Sequence, residues 1–250
     1  MTSMAMNPSD QERSERLRFA VLAAHQLRSP VSTVDSILRT VLGGFAGPLT
    51  DRQRDLLTRA DACCNQTLAS VRRLLAIGGG LARLGGGAEA ADVVDAARRA
   101  AQRWEPQASQ QAIALLASLD AEATYVSVPA DMLGEVFDAL LSNAMEYTPA
   151  HGQIRLAVAR AASGATVRVS VADSGIGVAE EDRDEVFEPF MRACRSGPSG
   201  RPGAGLGLAF VKAVVEASGG RVAVQEADSG GAEFILEVPV AEKPQKTEKG

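Results

Sequence analysis

Residues 166–177 read Thr-Val-Arg-Val-Ser-Val-Ala-Asp-Ser-Gly-Ile-Gly, an alternating stretch that ends in a carboxylate and two glycines. The alternation predicts a β-strand over Thr166–Ala172 with one buried face. Directly after it, the Asp173 side chain can accept a hydrogen bond from an exocyclic amine, and Gly175 and Gly177 let the backbone approach a flat base. The stretch therefore predicts an adenine seat at the end of a strand.

Two further segments point to nucleotide phosphates. Asn143 lies late in a helix predicted over about Ala130–Tyr147, and its amide oxygen is a neutral ligand of the kind that Mg²⁺ accepts. Residues 203–208, Gly-Ala-Gly-Leu-Gly-Leu, follow a loop and open a helix, so their N–H groups can hold phosphates. Each signal alone is weak, but the three in this order indicate a nucleotide site. The sequence has neither a Gly-Lys-Ser/Thr phosphate loop nor a Rossmann glycine motif.

The chain from about Glu89 onward alternates between helical and strand patterns, which predicts an α/β sandwich with helices on one face of a mixed sheet. The expected helices span about Asp92–Ala108, Ala130–Tyr147, Glu180–Val186 and Leu206–Ala217. The expected strands lie near Ile113–Ser118, Tyr125–Val128, Ile154–Ala161, Thr166–Ala172, Arg221–Gln225 and Phe234–Val238.

The first part of the chain has a different period. From Leu17 to Val41 apolar residues recur at alternating steps of three and four, which predicts one long amphipathic helix. Thr50 followed by Gln53 is a capping-box pattern that starts a second helix of the same period. Two such antiparallel helices cannot bury both apolar stripes alone, so we expect a hairpin that dimerises into a four-helix bundle. Six glycines among residues 78–87 predict a flexible connector after it.

Composition excludes several classes of protein. With 46% hydrophobic and 23% charged residues the chain is typical of a packed soluble protein, and a net charge of −5 provides no global positive field for nucleic acid. Cys63, Cys64 and Cys194 lack metal-ligand spacing, which argues against structural zinc. No apolar run reaches the roughly 18 residues of a membrane span, so we expect a cytoplasmic protein with no membrane segment in this chain.

A single histidine stands out in the first helix, in the stretch His25-Gln26-Leu27-Arg28-Ser29-Pro30. His25 lies one residue past the seam position Ala24, on the flank of the predicted bundle, where it can meet solvent and another domain. Pro30 removes one helical hydrogen bond and loosens the turn that carries the histidine. Such a histidine is commonly a plain surface residue, but the nucleotide site downstream favours a chemical role.

These segments together resemble the cytoplasmic core of bacterial two-component sensor histidine kinases, from about Arg18 to Val240. The motifs that carry the resemblance are similar to the family's histidine box, asparagine box, first glycine box, phenylalanine box and second glycine box. In that order they are His25–Pro30, Leu140–Pro149, Asp173–Gly177, Val186–Arg192 and Gly203–Leu208.

The resemblance implies an α+β fold with two domains. A dimerising histidine-phosphotransfer hairpin would occupy residues 14–77, and a Bergerat-type ATP-binding domain would occupy residues 89–240, joined by a Gly-rich linker over 78–88. Residues 1–13 and 241–250 would be flexible. The loop from about Pro189 to Ala204 would form a lid over ATP.

The resemblance also implies a reaction. The neutral His25 ring would attack the γ-phosphate of Mg-ATP and pass the phosphoryl group to an aspartate of a separate response-regulator receiver domain. Asn143 would ligate Mg²⁺, Asp173 would bind adenine and Tyr147 would pack near the base. Further nucleotide contacts are expected from Gly175, Gly177, Arg192, Gly203, Gly205, Leu206 and Gly207. Gln26 and Ser29 complete the expected catalytic group around the histidine.

Four positions depart from the family pattern. Gln26 stands where an acidic residue is common, and it can orient the ring but cannot act as a base. Ala139 stands where an asparagine is common, Glu146 where a lysine or arginine is common, and Glu233 where the last strand often has a threonine near the adenine pocket. His151 is interpreted as a loop residue without a role.

These departures leave two alternatives to an active kinase. One is a pseudokinase that binds nucleotide, dimerises and signals by conformation. The other is an enzyme that acts chiefly as a phosphatase on its regulator, with Gln26 or Ser29 placing a water. A serine-directed anti-sigma kinase would share the ATP-binding domain, but it would not need the hairpin with His25.

Overall fold

The computed structural model describes residues 8–80, 90–119, 122–191 and 205–244, with the backbone alone described for 8–16, 79 and 80. The chain divides into two compact units, Met1–Gly80 and Leu81–Gly250. The first unit is helical and the second is built on a seven-stranded sheet, which confirms the expected α+β class. No helix in the described ranges is both long enough and apolar enough to cross a membrane.

The first unit is a helical hairpin. Helix α1 spans Pro8–Leu42 and helix α2 spans Asp51–Leu75, followed by one π-helical turn over Ala76–Gly80. The capping box is present, because the Gln53 N–H donates to Thr50 Oγ1 at 3.3 Å and the Thr50 N–H donates to Gln53 Oε1 at 2.9 Å. Helix α1 begins earlier than the sequence indicated, inside the segment expected to be flexible.

Packing between the two helices differs from the single seam expected. Ala24 and Leu38 of α1 are buried with Cys64, Leu68 and Val71 of α2. Two residues of the expected seam, Leu27 and Val34, are 51% and 50% exposed. They lie on nearly the same side of the helix as the buried Leu38, so the apolar face of α1 is wider than the part that α2 covers. Cys63 is exposed, and Cys194 lies outside the described residues.

The second unit has seven strands and three helices within its described residues, and the strands follow the order β1-β3-β7-β5-β4-β2, with β6 paired to β7. The strands are β1 (Ala91–Asp92), β2 (Ala114–Leu119), β3 (Tyr125–Val126), β4 (Gln153–Arg160), β5 (Thr166–Asp173), β6 (Arg221–Glu226) and β7 (Ala232–Ala241). The helices are α3 (Val93–Gln110), α4 (Ala130–Tyr147) and α5 (Gly207–Ala217).

All six expected strands are present, and the two-residue strand β1 is an addition that is too short to give a sequence pattern. The helix expected over Glu180–Val186 is wrong in detail, because this segment forms two separate 3₁₀ turns, Glu180–Asp182 and Glu185–Phe187. A run of three acidic residues at its start offers few apolar positions to hold a longer helix.

Alternation along the central strands positions the core on one face of the sheet. Ile154, Leu156 and Val158 of β4 are fully buried, as are Val167 and Val171 of β5. The helices cover this face. Helices α3 and α4 are joined at their surface by Asp138, which accepts from Arg103 Nη2 at 2.8 Å and from Trp104 Nε1 at 2.9 Å.

Candidate functional site

The site in the second unit is organised around Asp173 at the end of β5. Its side chain is buried, with 2% of the residue exposed. Oδ1 accepts from the Gly175 N–H at 2.8 Å and from the Ala232 N–H at 3.3 Å. Burial raises the pKa of the Asp173 carboxyl above its ordinary value, and the two backbone hydrogen bonds oppose that rise. Both donors therefore meet the same carboxylate oxygen.

The two glycines after Asp173 are required by their surroundings. A Cβ at Gly175 would overlap the carbonyl oxygen of Tyr147 and would lie 2.9 Å from Asp173 Oδ1. Gly177 has φ +72°, a conformation that side chains other than glycine rarely adopt. The close approach at Gly175 joins the last turn of helix α4 to the loop after β5.

Helix α4 contributes one row of residues to this region. Ala139, Asn143 and Tyr147 are spaced by four, so they lie on one face of the helix. Ala139 is buried, whereas Asn143 and Tyr147 are half-buried. Glu146, three residues after Asn143, is also half-buried. The structure therefore brings the Tyr147 end of this row against the Asp173 loop.

The second glycine segment lies at the start of helix α5. Leu206 is buried, Gly207 begins the helix, and Gly205 has φ +63°. The Gly205 carbonyl accepts from the Phe190 N–H at 2.9 Å, and a Cβ at Gly205 would lie 2.9 Å from the Phe190 Cα. Phe190 itself has φ +68°. The phenylalanine box therefore meets the glycine box directly through its backbone.

Side-chain contacts also hold the phenylalanine box against helix α5 and strand β7. Lys212 Nζ donates to Glu188 Oε1 at 3.1 Å, which links helix α5 to the phenylalanine box. Phe187 is buried edge-on against Phe234 of β7, with ring centroids 6.1 Å apart. Two expected phosphate contacts, Arg192 and Gly203, lie outside the described residues.

The turn between β6 and β7 is a part of the site that the sequence reasoning missed. Ser229 Oγ donates to the Asp173 carbonyl at 2.7 Å. A Cβ at Gly231 would overlap Asp173 and would lie 2.6 Å from the Gly175 nitrogen. The only sequence signal was the Gly230-Gly231 pair ahead of the last strand, and such a pair is typical of any tight turn.

The position assigned to Glu233 near the adenine pocket is wrong. Glu233 pairs with Ala172 across the sheet, and its carboxylate accepts from Gln225 Nε2 at 2.7 Å. Because side chains alternate along a strand, Ala172 and Asp173 point to opposite faces, so Glu233 lies on the face away from the Asp173 side chain, whose Oδ1 accepts from the Ala232 N–H. The neighbour of the Asp173 side chain on β7 is therefore Ala232.

The expected acceptor site lies in the first unit. His25 is exposed on helix α1, next to Ala24, which is 2% exposed. Gln26 and Ser29 are exposed as well, and the Ser29 carbonyl accepts from Thr33 Oγ1 at 3.1 Å. Pro30 lies within the helix one residue later. These side chains are thus available at the surface of the hairpin.

Comparison with known proteins places this geometry in context. Residues 129–242 match the family described as histidine kinase-, DNA gyrase B- and HSP90-like ATPases. The alginate biosynthesis sensor protein KinB of Pseudomonas aeruginosa is 29% identical over 93% of this chain, and the sensor histidine kinase AruS of the same species is 32% identical over 90% of it. The chain spans only 38% of KinB and 22% of AruS.

A solved structure resembles the chain over most of its described length. Full-length ShkA in complex with AMPPNP superposes with a TM-score of 0.65 at 29% identity. The match covers 91% of this chain and 46% of ShkA. The helical hairpin and the sheet domain therefore occur in the same order as in a protein crystallised with an ATP analogue.

Proposed function

The chain belongs to the sensor histidine kinases, and we propose that it transfers the γ-phosphoryl group of ATP to His25 and then to an aspartate of a separate response-regulator receiver domain. The observation that carries the proposal is the buried Asp173 carboxylate, whose Oδ1 is held by two backbone N–H groups. Oδ2 would accept from the ligand, since a carboxylate oxygen is complementary to the exocyclic amine of adenine.

The rest of the nucleotide would follow from the elements around Asp173. Gly175 and Gly177 would allow the base to lie against the backbone, and Tyr147 would cover it from the end of helix α4. The phosphates would lie toward the start of helix α5, where Gly205, Leu206 and Gly207 present the positive end of the helix. Arg192 and Gly203 would also contact the phosphates.

Asn143 is the residue that fits a magnesium ion. Its amide oxygen is neutral and half-buried, and it lies one helical turn before Tyr147 on the same row of α4. Bound Mg²⁺ would neutralise charge on the phosphates during transfer. Asn143 would hold the ion through its side-chain amide oxygen.

His25 would be the phosphate acceptor. Its exposure on helix α1 allows the ring to meet both the nucleotide and a receiver domain. Gln26 can accept a hydrogen bond from a ring N–H and so orient the ring, but it cannot remove the proton. Ser29 lies one turn further along the helix and is available to a receiver aspartate or to water.

The hairpin would form a homodimer through the exposed apolar side chains on its outer surface. Phe19 is 76% exposed, Leu22 66%, Val34 50% and Ile37 58%. They lie on the same helix at steps compatible with one stripe, and Leu56 of α2 is 55% exposed. A second copy of the hairpin would cover these side chains and form a four-helix bundle.

The direct test is incubation of the purified chain with γ-labelled ATP and Mg²⁺, with His25→Ala in parallel. We expect label that is acid-labile and alkali-stable in the parent and absent from the variant, while ATP binding is equal in both. Label that persists on His25→Ala would place the acceptor elsewhere.

Gln26 favours a second candidate function. An exposed amide beside the acceptor histidine can place a water but supplies no base, which suits a phosphatase or a nucleotide-binding pseudokinase. Loss of phosphate from a pre-phosphorylated receiver in the presence of this chain, abolished by Gln26→Ala, would support the phosphatase. ATP binding without label or phosphate release would support the pseudokinase.

A further inference from the structure

The segment between β6 and β7, residues 227–232, makes two hydrogen bonds to Asp173. Ser229 Oγ donates to the Asp173 carbonyl at 2.7 Å, and the Ala232 N–H donates to Oδ1 at 3.3 Å. One bond fixes the backbone of Asp173 and the other fixes its side chain. The segment 227–232 therefore acts on the orientation of the carboxylate even though it is more than 50 residues away in sequence.

This turn is itself rigidly closed. The Ala227 N–H donates to the Gly231 carbonyl at 2.9 Å, and the Gly230 N–H donates to the Ala227 carbonyl at 2.8 Å. Ala227 is buried, and Gly231 has no room for a side chain beside Asp173. Ser229 is thus presented to Asp173 by a preformed frame, and its hydroxyl is the one side-chain group of the turn that bonds Asp173 within the described residues.

We propose that Ser229 is a positioning residue that sets the preference of the site for a 6-aminopurine. The inference rests on the proposed role of Asp173 in binding adenine. A hydrogen bond weakens steeply as its angle departs from linearity, so the direction of Oδ2 decides how well it accepts from the amine. Guanine has an oxygen at that position, which the Asp173 carboxylate repels. Ser229 acts on this discrimination through Asp173 and touches no ligand atom.

The size of the effect follows from the surroundings of Ser229. The residue is half-buried and lines a cavity of about 300 Å³ on the outer face of the sheet, together with Gln153, Arg155 and Ser170. Water can enter this cavity and bond the Asp173 carbonyl when the hydroxyl is removed. The loss is therefore at most that of one neutral hydrogen bond, and we expect ATP affinity to fall measurably but by no more than about tenfold in Ser229→Ala.

The test compares two nucleotides on the full chain by calorimetry with Mg²⁺ present. One is ATP, and the other is purine riboside triphosphate, which lacks the 6-amino group. Ser229→Ala should weaken ATP and leave the deamino analogue unchanged, and Ser229→Thr, which retains the hydroxyl, should restore ATP affinity. Ser163→Ala is the matched control, because among the described residues the Ser163 hydroxyl bonds only its own turn, where it accepts from the Ala165 N–H.

Each outcome has one meaning. Equal weakening of both nucleotides would show that Ser229 only maintains the fold of the turn, and unchanged affinity for ATP would remove its role; either result overturns the proposal. Asp173→Asn, measured in the same series, separates this from the proposed function. If Asp173→Asn weakens ATP and Ser229→Ala does not, the adenine site stands and only the positioning role fails. If Asp173→Asn has no effect, the adenine assignment itself fails.

Discussion

The substitution Asp173→Asn tests the contribution of the buried carboxylate to ATP binding separately from its effect on folding stability. The asparagine oxygen can keep both hydrogen bonds that Oδ1 now accepts, from the N–H groups of Gly175 and Ala232. The amide nitrogen then replaces Oδ2 and presents donors to the adenine amine, which is itself a donor. The substitution therefore changes the contact with the base and spares the internal bonds.

Opposite effects are expected on binding and on stability. A hydrogen bond to a charged group contributes about 1.5–3 kcal/mol, so ATP affinity should fall roughly tenfold to a hundredfold. Burial raises the pKa of Asp173, so ionisation of this group lowers the free energy of unfolding as the pH rises through the folded-state pKa. Asparagine never ionises. The variant should therefore equal or exceed the parent in stability at pH 7, and its advantage should shrink as the pH falls toward the ordinary aspartate pKa of about 3.9.

Calorimetric titration with Mg-ATP measures the first effect, and thermal unfolding between about pH 4 and pH 7 measures the second. Asp228→Asn is the matched control, since Asp228 is exposed in the β6–β7 turn. ATP affinity equal to that of the parent would refute the contact between Asp173 and the base. A variant that is less stable than the parent at pH 7 would refute the claim that burial of this charge is costly.

Three further predictions test other parts of the reasoning. Gln26→Glu should raise the rate of autophosphorylation if the missing base limits it, and an equal or slower rate measured with labelled ATP would mean that ring orientation matters instead. Gly175→Ala should lower both the thermal midpoint and ATP affinity, because the added Cβ overlaps the Tyr147 carbonyl. Gly134→Ala has nothing near its added Cβ and should increase stability by about 0.5–1 kcal/mol. Equal thermal midpoints for the two variants would contradict the steric argument. Ile37→Glu should convert a dimer to a monomer in sedimentation analysis with helix content retained, and a persistent dimer would place the interface on another face.

The sequence was sufficient for most features that depend on local pattern, with the exception of residues 180–187, which form two 3₁₀ turns where a helix was expected. The period of three and four found both long helices, the Thr50–Gln53 pair marked the start of the second, and alternation marked the strands of the central sheet. The adenine seat, which stays a prediction, could be named because Asp173 and its glycines are contiguous in the chain. These features share one property, which is that the residues that define them lie within a few positions of each other.

Features that depend on register or on distant pairing were not accessible in the same way. Ser229 meets Asp173 only because β7 pairs with β5, and the face of Glu233 depends on which residue of β7 lies beside Ala172. A shift of one residue in that register would exchange the faces of Ala232 and Glu233. Similarly, Val34 fits the period of the inner seam and is nevertheless half exposed, because the apolar face of α1 is wider than the part that α2 covers.

The structure also ranks the four departures from the family pattern. Glu233 lies on the opposite face of the sheet from the Asp173 side chain. Ala139 is 4% exposed, so its side chain packs in the core. Glu146 is half-buried three residues after Asn143, so it would lie near the magnesium ligand that we propose. Of the four, Gln26 is the one adjacent to His25, the acceptor that we propose. Nucleotide binding should therefore follow the family, and the step at which this chain differs should be removal of the proton from His25, which is the step that Gln26→Glu addresses.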